Sequence, residues 1–175
     1  MSRPFREESL LRTTKFRVVR KAYLDEPEEL SRYVIRHHGA VGILPMLADG
    51  RIVMIRNYRA AVDEWLLEIP AGTMTPGEAP AQTAHRELEE ETGYTAGRMV
   101  KLVEFLPSPG ISDERMTLYW AGDLVPGQAR PEADERLEVA ILSRDEALTA
   151  LASGTVRDAK TIIALLWLET GRVPG

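Results

Sequence analysis

The chain has 175 residues, enough for one domain with a real core. Hydrophobic residues make up 44% and charged residues 28%, a balance that excludes a disordered chain. A formal charge of −5 argues against a general nucleic-acid or anionic-membrane binder. The absence of cysteine excludes disulfide frameworks, thiolate metal sites and cysteine nucleophiles.

Taken in chain order, "MSRPFREESLLRTTKF" has no apolar core of signal-peptide length. The longest apolar runs, "AVGILPMLA" and "IIALLWL", fall short of a membrane span, so a cytoplasmic protein is expected. Residues 15–25 and 31–36 read as early strands with "EPEE" as the turn between them. Residues 40–47 and 51–58 are β-rich and joined by Ala48-Asp49-Gly50, in which Asp-Gly is a strong hairpin signal. A further strand is expected at 65–69, ending at Pro70.

At Pro80 the period changes. Ala81, Ala84 and Leu88 mark one apolar helix face, Pro80 suits the first turn, and Gly93 suits the position just past the end. Strands follow at 99–106, 116–124 and 137–142. Ser143 with Glu146 makes a capping-box pattern opening a helix that Gly154 closes, and "DAKTIIALLWLETG" is a second helix. The expected class is α+β, with helices layered on a mixed sheet.

The helix from Pro80 ends on four carboxylates within five residues, Glu87 to Glu91. Like charges at this spacing repel, and a helix C-terminus disfavours anions. At 100° per residue Glu87, Glu90 and Glu91 share an arc of about 100° while Glu89 points elsewhere. That arc borders the apolar stripe, so these three carboxylates should face a cleft at the edge of the core. Their hard oxygens suit Mg²⁺ or Mn²⁺, which would relieve the repulsion. Arg86 can pair with Glu90 on the flank. Taken alone, a run such as "ELEEE" is usually a solvated helix face.

The surroundings are more specific. Gly72, Glu78, Arg86-Glu87-Leu88, Glu90-Glu91 and Gly93-Tyr94 follow G-x5-E-x7-R-E-U-x-E-E-x-G-U, the Nudix box. "WLLEIPAG", "FLPSPGISDE" and "ARPEADERLEVA" are similar to the ADP-ribose pyrophosphatase branch of the Nudix hydrolases. Tyr94 stands where the general box has an aliphatic residue. The resemblance implies a Nudix fold, an α/β/α sandwich around a mixed sheet in residues 39–175, with an N-terminal β-extension in residues 1–38 for dimerisation and substrate capping.

It also implies residue roles. Glu87, Glu90, Glu91 and the carbonyl of Ala71 would hold Mg²⁺, with Mn²⁺ a possible substitute. Gly72, Glu78, Arg86 and Gly93 would be structural, Glu78 and Arg86 bracing the loop against the helix. Glu135 is the first choice for the carboxylate base, beside Glu91 and Glu87 in the catalytic set, with Glu132 and Glu138 as fallbacks. Arg36, Arg59, Pro109 and Glu114 would bind substrate, Arg36 from the partner subunit of a homodimer. Tyr33 or Tyr58 would stack on adenine, and His37, His38 and His85 have no assigned role. The implied reaction is Mg²⁺-dependent cleavage of ADP-ribose to AMP and ribose 5-phosphate. The alternatives are another nucleoside diphosphate sugar such as GDP-mannose, a dinucleotide, or a non-catalytic nucleotide sensor; neither nucleic acid nor membrane is an expected partner.

Overall fold

A computed structural model describes residues 6–25, 28–131 and 135–174. Three antiparallel strands come first: β1 (Arg6–Arg12), β2 (Phe16–Asp25) and β3 (Glu28–His37). The turn is therefore shorter than the expected "EPEE", because Glu28 and Glu29 already pair with Asp25 and Leu24. β1 is not among the expected strands, and all seven of its residues are exposed, so no apolar alternation marks it. The sheet is tied to the rest of the chain at Ile35, whose backbone bonds Ile111 and Asp113 in the 106–115 loop.

The remaining strands form two sheets rather than one. A four-stranded mixed sheet has the order β7 (Ala71–Thr73), β4 (Ala40–Pro45), β9 (Met116–Val125), β8 (Thr95–Phe105), with β4 and β9 parallel. An antiparallel sheet has the order β10 (Leu137–Leu142), β5 (Ile52–Arg59), β6 (Glu64–Glu68). The Asp49-Gly50 turn forms, with Gly50 at φ +84°, but its flanking strands meet only at the bridge Met46↔Ile52. They separate because β4 already has β7 and β9 as neighbours, and β5 has β6 and β10.

β4 and β9 are buried on both faces, and their alternate residues serve two cores. Val41, Ile43, Tyr119 and Ala121 pack with Ala84 and Leu88 of α1 (Pro80–Thr92). Leu44, Leu118 and Trp120 pack with Ala147 of α2 (Arg144–Ala152) and Ala164, Leu165 and Leu168 of α3 (Ala159–Glu169). α2 stops at the Ser153 cap, just before Gly154.

α1 begins with Pro80 at its first turn and ends on Gly93 at φ +79°. A Cβ on Gly93 would also lie 2.6 Å from the Ala129 backbone, so glycine is needed there for both conformation and space. The buried face of α1 differs from the apolar stripe expected from sequence. Ala81 is exposed, and Thr83, Ala84, Glu87, Leu88, Glu91 and Thr92 are buried.

Candidate active site

The cleft lies where α1 meets the short strand β7. Its volume is about 420 Å³, and its walls include Arg59, Gly72, Arg86, Glu87 and Glu135. β7 follows Pro70, where the sequence pattern marks no strand; pairing with β4 fixes Ala71 opposite Gly42. This pairing presses β7 against the acidic face of α1. A Cβ on Gly72 would stand 1.9 Å from Cδ of Glu87, so the carboxylate occupies the space a side chain would need. The Ala71 N–H donates to Glu91 Oε2 at 2.9 Å.

The four carboxylates at the end of α1 are not equivalent. Glu87 is 8% exposed and Glu91 1%, Glu90 is half-buried, and Glu89 faces solvent. Burial raises the Glu87 carboxyl to about 7 despite the neighbouring Arg86. Burial likewise raises Glu91 to about 8, opposed by the Ala71 N–H and assisted by Glu135 and Glu87. Arg86 organises the cluster from one side. Its Nη1 lies 2.7 Å from Glu87 Oε1 and 2.8 Å from Glu90 Oε2. Its Nε and Nη2 donate to Glu78 at 3.2 and 3.3 Å, joining the loop before α1 to the helix.

These residues fit a divalent cation. Glu91 Oε1 is buried and has no hydrogen-bond partner among the described residues, a costly state that a cation would relieve. Every candidate donor is a hard oxygen. Among the described residues no three acidic or histidine side chains converge at ligand distance, since Arg86 holds Glu87 and Glu90 in ion pairs.

Opposite α1 stands Arg59. Its Nε and Nη2 edge grips Glu68 at 3.0 and 2.6 Å, and Nη1 has no protein hydrogen bond among the described residues. Burial pushes the Glu68 carboxyl up, but the Arg59 hydrogen bond and the Lys160 charge outweigh it and leave it lowered. Glu114 lines a smaller hollow of about 160 Å³ that shares Arg59, Ala71, Gly72 and Thr73 with the cleft.

Other expected residues fall elsewhere. Arg36 lies in a separate hollow, bridging Glu7 at 2.5 Å and Asp113 at 2.7 Å. Pro109 is exposed on its loop and lines neither cleft nor hollow. Glu138 is exposed on β10 opposite Arg56, and Glu132 lies outside the described residues. Neither tyrosine reaches the cleft: Tyr33 is 62% exposed, and Tyr58 stacks edge-on against Trp65 and donates to Asp63. Thr14 and Lys15, at the β1–β2 turn, line the cleft and carry no sequence signal. Glu68 and Lys160 escape sequence reasoning as well, although each is a charge beside an apolar run, in "WLLEIPAG" and "DAKTIIALLWL".

A helix of buried carboxylates facing an arginine-bearing cleft is the equipment of a pyrophosphate-cleaving hydrolase. Residues 36–165 match the family model for the NUDIX domain, and the chain belongs to the Nudix family, whose hydrolases generally use divalent metal ions. It is 39% identical over 140 residues to an ADP-ribose pyrophosphatase of Bacillus subtilis, covering 79% of this chain and 76% of the relative. It is 40% identical over 140 residues, with the same coverage, to a methanol dehydrogenase activator of Bacillus methanolicus. In fold it is similar to a crystal structure of an ADP compounds hydrolase, with TM-score 0.78 and 24% identity over 99% of this chain and 98% of the other.

Proposed function

We propose that the protein hydrolyses the pyrophosphate bond of ADP-ribose to AMP and ribose 5-phosphate with Mg²⁺, for which Mn²⁺ can substitute. The observation that carries this reading is the single cleft shared by Glu87, Glu135 and Arg59, with the unpartnered Glu91 oxygen behind it. The ADP-ribose pyrophosphatase relatives support the choice of substrate.

Glu87, Glu90, Glu91 and the Ala71 carbonyl are the residues that would hold the cation. When bound, it neutralises diphosphate charge and acidifies a water. Arg59 directs its Nη1 edge to a phosphate oxygen while its other edge is held by Glu68. Glu135 accepts the proton of the attacking water. Arg86 and Glu78 keep the loop and α1 in register. Glu114 contacts the substrate from the adjoining hollow, and Pro109 shapes the loop that carries it.

Incubation of the purified protein with ADP-ribose and Mg²⁺ should release AMP; no AMP with any divalent metal sinks the proposal. Glu135→Gln should lower kcat by about 10²-fold or more, the contribution of a general base. An unchanged kcat would transfer that role to another carboxylate. Glu89→Gln should leave kcat/KM within about twofold, because Glu89 is a solvated surface charge.

A second reading is another nucleoside diphosphate sugar or a dinucleotide. It is favoured by the absence of any aromatic side chain among the described residues lining the cleft, so nothing there selects adenine. A substrate panel in ¹⁸O-water separates the two readings and identifies the phosphorus attacked.

The reading includes a cytoplasmic homodimer in which β1–β3 of one subunit, with Arg36, complete the partner's site. Among the described residues no helix is long and apolar enough to cross a membrane. Light scattering tests the dimer, and a monomer at working concentration removes Arg36 from the site.

A further inference from the structure

Behind Arg59 lies a charged cluster away from the cleft floor. Glu68 is 1% exposed and accepts from Arg59 Nη2 at 2.6 Å and from Lys160 Nζ at 2.7 Å, both on Oε2. Lys160 is 8% exposed, in the first turn of α3, and its Nζ also donates to Asp158 Oδ2 at 2.8 Å. Asp158 caps α3 through the Thr161 N–H. Two cations, Arg59 and Lys160, thus face two anions, Glu68 and Asp158, for a net charge of zero.

Stability is a poor reason for such a cluster. Buried ion pairs are commonly replaced by apolar residues without loss, because desolvation offsets their attraction. The α3–β6 junction also has a neutral tie, from the Ile69 N–H to the Thr161 hydroxyl at 2.9 Å. Arg59, by contrast, faces a cleft rimmed by Glu87 and Glu135 and has to attract a dianionic diphosphate into it. Without Lys160, Arg59 would face Glu68 and Asp158 together, and the cluster would turn a net charge of −1 toward that diphosphate.

We infer that Lys160 is a positioning residue for substrate binding: by balancing the second of the two carboxylates behind Arg59, it lets Glu68 orient Arg59 while keeping the cluster from turning a net negative charge on the diphosphate. This rests on the reading of Arg59 as a diphosphate contact. Lys160 lines the hollow that holds Glu114, but its Nζ is held by Glu68 and Asp158. It is not among the residues lining the cleft with Glu87 and Glu135, so it acts on the binding of a diphosphate and not on the proton transfers. Removing its charge changes the cluster from zero to −1 and should be felt in KM.

The test compares wild type, Lys160→Met and the double variant Lys160→Met with Glu68→Gln. In the double variant the cluster returns to zero, and the introduced amide oxygen still accepts from Arg59. Lys160→Met should raise KM for ADP-ribose about tenfold with kcat within about threefold. The double variant should bring KM back to within about threefold of wild type. A merely structural staple predicts no rescue, since the double variant removes more of the junction. A KM for Lys160→Met within about twofold of wild type, or a double variant as weak as the single, overturns the inference. If Lys160→Met does not fold because it leaves a buried anion uncompensated, the double variant alone decides, and a KM there about tenfold higher refutes the role. Wild-type hydrolysis of ADP-ribose reports separately on the proposed function. If wild type prefers another nucleoside diphosphate sugar, the same KM ratios are read on that substrate.

Discussion

Replacing Glu91 by glutamine should cut kcat/KM by on the order of 10³-fold, the several kcal/mol that charge stabilisation at a diphosphate is worth. The same substitution should stabilise the protein in EDTA at alkaline pH. Glu91 is 1% exposed, and its carboxyl is raised from 4.5 to about 8. A carboxyl raised in the folded state binds protons there that the unfolded chain has already released. Stability therefore falls as pH rises from about 4.5 to about 8 and stays low above that window. At about 1.4 kcal/mol per pH unit the penalty is roughly 3–5 kcal/mol. A glutamine side chain cannot ionise. Urea melts in EDTA should therefore nearly coincide for wild type and Glu91→Gln at about pH 5 and separate at about pH 8.5, with the variant more stable. Parallel pH curves would refute the buried-carboxylate account of this site. Added Mg²⁺ should reverse the order, stabilising wild type more than the variant by mass action.

Gly72→Ala is the second large effect, and it separates activity from stability. The added Cβ would meet Cδ and both oxygens of Glu87 at 1.9 to 2.3 Å. Those atoms are the far end of a flexible side chain, so the backbone can stay while the carboxylate moves away. The loss of stability should be small, about 1 kcal/mol or less, because displacement also relieves a buried carboxylate. Activity should fall on the order of 10²-fold, since a displacement of about 1 Å at a reacting site costs that much. Thermal melts together with kcat at saturating Mg²⁺ check this. A variant with wild-type kcat would show that the Glu87 position is not critical, and one that does not fold would show that the β7 backbone is the constrained element.

Much of the candidate site was legible in a short stretch. The order Gly72, Glu78, Arg86, Glu87, Glu90, Glu91, Gly93 is local, and a helix translates spacing directly into faces. The separation of Glu89 from its neighbours follows from that spacing, and Glu89 is the exposed one. The Pro80 start, the Gly93 end and the Ser143–Glu146 cap are readable for the same reason. β7 is not, because three residues after a proline carry no period. Its strand character comes from pairing with β4, remote in sequence. β1 escapes because its residues face solvent on both sides.

By itself the sequence determined the family, the α+β class and the acidic helix, since each depends on residue types at short, fixed separations. Only the tertiary structure decided which carboxylates are buried, that Gly72 makes room for Glu87, and that "ADG" turns a strand from one sheet into another. It also decided that Glu68 and Lys160, 92 positions apart, share one hydrogen bond behind Arg59. Such pairings depend on how β6 and α3 pack around a common core, and no local pattern of apolar and charged residues encodes the distance between two elements so far apart in the chain.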